Sequence, residues 1–122
     1  MRIRVAALAA LLTQAAQAHH SFAMFDQQNT VILQGTVKEF QWTNPHCFIQ
    51  LVVADGGELA EWSLEMHSPA ASLRHGWKRN SLAPGDVVSV VINPLRDGSR
   101  GGFVVLARDA DGKPLHTVAG QR

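Results

Sequence analysis

Residues 30–42 read TVILQGTVKEFQW, and the fold turns on how this run alternates. Val31, Leu33, Gly35 and Val37 fall on one face while Gln34, Thr36 and Lys38 fall on the other, the period-two pattern of a half-buried strand. Beyond Val37 the large apolar residues change parity to Phe40 and Trp42, and Gly35 interrupts the run. A long strand with a bulge or sharp coil has this pattern, and such a strand can serve two sides of a barrel. Working outward, Thr43-Asn44-Pro45 supplies a turn, and residues 46–53 (HCFIQLVV) form a second strand with Cys47, Ile49, Leu51 and Val53 on a common face. Asp55-Gly56-Gly57 has the composition of a hairpin turn, and residues 59–66 follow as a third strand carrying Trp62, Leu64 and Met66 together. Ser68-Pro69 then offers an N-cap and a first-turn proline ahead of good helix formers up to His75, with Gly76 as the stop. Pro84-Gly85-Asp86 launches a fourth strand over residues 87–93, and residues 103–108 make a fifth, followed by a turn and a short tail.

Three strands, a short helix and two more strands, the first strand long and interrupted by glycine, is the order of a mainly β, five-stranded OB-fold-like barrel with its helix between strands three and four. A small β-sandwich shares much of the same strand spacing and is the alternative architecture. The chain has 122 residues, a single cysteine and 17% charged residues, so it has room for one small domain, placed at residues 30–118, and no internal disulfide.

The start of the chain reads differently. Arg2 and Arg4 precede an apolar run over residues 5–12, and Ala16-Gln17-Ala18 is a small-x-small triplet, so residues 1–18 have the order of a cleavable signal peptide. The apolar run is well short of the ~20 residues that cross a bilayer. The expectation is an exported, periplasmic protein that does not span the membrane. Loss of Arg2 and Arg4 takes the 11 basic residues to 9 against 10 acidic ones, which moves the formal charge from +1 to −1 and leaves no electrostatic basis for nucleic-acid binding.

Cleavage after Ala18 exposes His19 as the first residue and His20 as the second, at the head of an N-terminal segment covering residues 19–29. An α-amine beside its own imidazole, with a second imidazole following, suits Cu(II), Ni(II) or Zn(II). Cleavage after Ala15 would move the amine elsewhere, and a ligand-free terminus is the plain alternative. Further along, a hairpin centred near residue 56 pairs position 46 with position 67, so His46 and His67 become cross-strand neighbours at the barrel rim. The candidate metal set is therefore His19, His20, His46 and His67, with one copper ion as the foremost cofactor and Met24 or Met66 as soft ligands. The structural alternative has His46 capping the turn after Pro45 and His67 bonding the start of the helix.

The strings HHSFAMFD (19–26), GTV (35–37) through FQWTNPH (40–46), GWKR (76–79) with LAPGD (82–86), and NPLRDG (93–98) together resemble DUF6152, a family of small exported bacterial proteins of unknown function. The resemblance spans nearly all of the chain after the leader and implies no activity or ligand. The layout is also similar to that of bacterial periplasmic OB-fold proteins, a likeness of architecture alone.

Two other chemistries are weighed against the metal site. Trp42, Phe48 and Trp62, with Lys38, Arg74, Lys78 and Arg79, would line an OB-type binding face for an envelope glycan, peptide or protein partner, unless the tryptophans belong to the core. Catalysis has weaker support. Alternation puts Cys47 in the core and turns it away from His46, Ser68 has no evident base, and Glu61 and Glu65 stand about 13 Å apart along one strand face. No His-Glu-x-x-His or Cys-x-x-Cys motif is present. An enzyme is the less favoured class.

Overall fold

The computed structural model describes residues 22–117. Five strands, β1 (Val31–Gln41), β2 (Phe48–Asp55), β3 (Glu58–Glu65), β4 (Val87–Pro94) and β5 (Gly101–Arg108), close into a barrel in the order β1-β2-β3-β5-β4, with helix α1 (Pro69–Arg74) between β3 and β4. All neighbours are antiparallel except β3 and β5, which run parallel over Ser63↔Gly101 to Glu65↔Phe103. This is the mainly β, OB-fold-like barrel expected from the strand order. Among the described residues no helix is long and apolar enough to cross a membrane.

β1 serves both sides, as its broken alternation requires. Its first half pairs with β4 from Val31↔Ile92 to Thr36↔Val87, and its second half pairs with β2 from Thr36↔Val52 to Gln41↔Phe48. The register shifts between Val37 and Glu39, so the change of apolar parity at Phe40 marks a real bulge. Gly35 sits at the coil. A Cβ there would collide with the carbonyl oxygen of Val52 and stand 2.9 Å from Leu51 Cγ. The backbone of β2 passes where a side chain would begin, so only glycine lets β1 bend over it.

Leu33, Val37, Cys47, Ile49, Leu51, Leu64, Val88, Val90 and Ile92 fill the barrel, and Met66, Trp77 and Leu82 plug its helix end. The Asp55–Glu58 hairpin turns through Gly56 (φ 57°) and Gly57 (φ 89°), a two-residue loop with both centres left-handed. Ser68 caps α1, its hydroxyl accepting from Ala71 N at 3.2 Å, with Pro69 at the first turn.

Both ends of the described chain fold back onto the barrel. A 3-10 turn at Phe22–Met24 leads to a bridge between Phe25 and Leu95, and Arg96 N donates to Met24 O. After β5 the tail returns, with Leu115 N donating to Ala107 O and Thr117 N to His75 O.

Gly35→Ala is expected to lower stability by about 1–3 kcal/mol, because the obstructing atom is backbone and cannot rotate away. An unchanged urea midpoint would show that β1 bends without needing the gap.

Candidate functional site

The β2–β3 hairpin keeps its register from Asp55↔Glu58 to Phe48↔Glu65, which extrapolates to the expected pairing of positions 46 and 67. One step beyond, the ladder slips. Cys47 N donates to His67 O while Met66 N donates to Cys47 O, so two residues of one chain segment face one of the other. This bulge re-aims the side chains that follow it.

His46 turns back onto the ladder. Its Nδ1 lies 2.7 Å from Met66 O, which requires the Nδ1–H tautomer or the cation, and 3.7 Å from Glu65 Oε1. The His46 ring thus bonds across to the third strand, while the turn is closed by Thr43 Oγ1 donating to His46 O at 2.8 Å. His67 turns the other way. Its ring meets Phe103 edge-on at 4.9 Å, His75 at 5.6 Å and Phe22 at 6.3 Å between centroids. Its carbonyl, rather than its ring, meets the helix start, accepting from Ser72 Oγ at 3.3 Å.

His67 opens onto a hollow of about 150 Å³ walled by His75, His116, Trp77, Met66 and Ser72, with Val104 and Val105 along β5. Three imidazoles therefore share one pocket, two of them at positions the sequence reading left outside the metal set. His75 arrives because α1 ends there, and His116 because the tail pairs back along β5. His116 is committed to the fold. Its Nε2 accepts from Ala107 N at 3.0 Å and its Nδ1 faces Thr117 O at 3.3 Å, while the ring stacks on Trp77 at 4.7 Å and 16°. By contrast, the rings of His67 and His75 have no hydrogen-bond partner among the described residues.

Burial pushes the imidazole of His67 below its ordinary value of 6.5, and the neighbouring charges of His75 and His46 act in the same direction. Burial does the same to His116, against the opposing bond to Thr117 O, with His75 adding a smaller push. Both rings stay neutral near neutrality, the form that binds metal. Cys47 is fully buried in the core, and burial raises its thiol pKa.

His19 and His20 lie outside the described residues. Phe22, two positions on from His20, packs on His67 and on Phe103 at 5.1 Å. Met24 is 38% exposed on the adjoining turn, and Met66 lines the pocket. Among the described residues no group of three or more His, Cys, Asp or Glu side chains is arranged to hold a metal ion.

The aromatic and cationic set is dispersed. Trp62 pairs with the inward Leu51 and packs against the core, whereas Phe48 is on the outer face opposite Glu65. Trp42 joins a separate chain of rings, 5.9 Å from Phe40, which lies 5.8 Å from Trp77. Lys38 is bonded to Glu61 at 2.7 Å, and Arg74, Lys78 and Arg79 are exposed around the end of α1.

Neutral His67 and His116 make stability depend on pH with a definite sign. Well above pH 6.5 neither state of the chain is protonated at these rings; as pH falls through 6.5 the unfolded chain takes up protons that the folded one resists, so stability falls until the lowered folded values are passed. The urea midpoint is expected to drop between pH 7.5 and 5.5, and His116→Gln, which keeps an acceptor for Ala107 N, to flatten that slope. An identical slope in the variant would remove His116 as a source.

A comparison with curated proteins and with solved structures finds no match to this chain. The profile of DUF6152, a family of unknown function, matches residues 7–105. That span covers most of the chain, and the chain belongs to the DUF6152 family.

Proposed function

We propose that this is a small exported binding protein that holds one transition-metal ion, Cu(II) foremost, at the imidazole pocket beside α1. The observation that carries the reading is the pair His67 and His75, 5.6 Å apart between ring centroids and without hydrogen-bond partners among the described residues. Two imidazoles bound to one metal at about 2.0–2.1 Å place their centroids about 4.5–6 Å apart, so the pair needs little rearrangement to share an ion. Two ligands are too few, and the rest come from His19 and His20, which precede the segment packed on His67. His46 has the backing that metal-binding imidazoles take, its Nδ1–H bonding a backbone carbonyl beside a carboxylate. The lowered basicity of His67 reduces the competition of protons with a metal at that ring. A binding face for an envelope glycan, peptide or protein has less support, because its aromatic residues lie on different faces of the barrel.

The test is native mass spectrometry and competitive titration of the protein matured to begin at His19. One Cu(II) per chain is expected, with affinity reduced at least tenfold in His67→Ala and in His75→Ala, and reduced again when one residue is added ahead of His19. Copper that is indifferent to His67 and His75, and lost only with His19 and His20, would reduce the site to a terminal chelate and overturn the reading.

A further inference from the structure

Met66 is the pocket residue whose chemistry the imidazole reading leaves unused. It is 3% exposed, yet it lines the same hollow as His67, the residue next to it. Consecutive side chains of an extended strand ordinarily point to opposite faces. The slip at Cys47 lifts that rule here, because Cys47 bonds to both residues, its N–H donating to His67 O and its carbonyl accepting from Met66 N. A thioether side chain and the rings of His67 and His75 therefore wall one space of about 150 Å³, with the two rings 5.6 Å apart between centroids.

This wall is short of hard donors. Apart from Met66 and the rings it is made of Ser72, Trp77, Val104, Val105 and Thr117, and no carboxylate belongs to it. Glu65, one position before Met66, is buried elsewhere, on the outer face of β3, where its neighbour Phe103 is covered by Phe22 and Phe25 at 5.1 and 5.6 Å between rings. Ser72 Oγ donates to His67 O at 3.3 Å, and His116 spends Nε2 on Ala107 N. The donors left are two imidazole nitrogens and a thioether sulfur, which bring no negative charge. The cost of taking an ion out of water rises with the square of its charge, so such a wall discriminates against a divalent ion. The sulfur adds to this, since soft thioether ligands select Cu(I). Met66 also has the freedom to bind, because its unbranched side chain adjusts the sulfur position by rotation alone. His75 is exposed at the end of α1 and gives an ion its way in.

We infer that this pocket holds Cu(I) through Met66, His67 and His75, a site of two nitrogens and one sulfur built from the barrel and the end of α1 alone. The inference rests on reading the hollow as a copper site and adds the reduced ion to it. Cu(II) calls on the further nitrogens of His19 and His20, whereas Cu(I), which takes fewer ligands, does not.

The test is an anaerobic titration of the mature chain with Cu(I) in ascorbate, in competition with a coloured Cu(I) chelator. One Cu(I) per chain is expected, with affinity lowered about tenfold or more in Met66→Leu, a swap of similar volume, and unchanged in His19→Ala/His20→Ala. Affinity that Met66→Leu leaves intact would overturn the inference, as would its loss with the two terminal histidines. A second measurement covers misfolding of Met66→Leu. With methyl-labelled methionine in the unmodified protein, added Cu(I) is expected to shift the Met66 methyl resonance, and no shift, or one confined to Met24, would overturn the site. Cu(II) titrated into the same proteins separates the two readings. Cu(II) binding that needs His67 and His75, with Cu(I) indifferent to Met66, sinks only the inference; Cu(I) binding that needs Met66, without Cu(II) binding, sinks only the choice of Cu(II).

Discussion

The barrel depends on one close approach, the passage of β1 over the backbone of β2 at Gly35. Because no side chain stands there, a single strand pairs with β4 along its first half and with β2 along its second, and the sheet closes on itself. Closure removes most exposed strand edge and gives a small disulfide-free chain a filled core. A second pinch lies at Gly102, where a Cβ would stand 2.6 Å from Asn93 O, letting β5 reach across from β4 to meet β3 in parallel. The mouth between β3, α1 and β5, where the imidazoles gather, exists because these two gaps let the strands meet.

Much of this was legible in the sequence because it is local. The bulge in β1 is written in the parity change from Val37 to Phe40, the hairpin in Asp55-Gly56-Gly57, and the helix start in Ser68-Pro69. Counting outward from the turn also gives the β2–β3 register as far as Phe48↔Glu65, two steps short of the expected pairing of positions 46 and 67. What counting misses is the slip at Cys47, where Met66 and His67 together face one residue, because nothing in composition marks a bulge that has no glycine. His116 was missed for another reason: its place depends on a tail that pairs back along β5 after a turn, a contact set by tertiary packing. Glu65 shows the same limit. Period two puts it on the outer face beside Glu61, and only the folding-over of Phe22 and Phe25 makes that stretch of outer face an interior.

The pocket combines rings with different duties. His116 is a backbone acceptor in imidazole form, clamped between Trp77 and the end of β5, and its loss of basicity follows from that work. His67 is held against Phe103 and Phe22, His75 is exposed at the end of α1, and both keep their nitrogens out of the hydrogen-bond framework of the described residues. The packed ring of His67 is thereby oriented without using its nitrogens.

The first and last described residues meet at this pocket: Phe22 lies against His67, and Thr117 bonds the carbonyl of His75. The pocket therefore depends on the segment before β1 and on the tail after β5 together. Without that tail Trp77 remains, but the His116 ring that stacks on it at 4.7 Å is lost. Truncation after β5 would keep the barrel strands while removing the wall that His116 adds to the pocket.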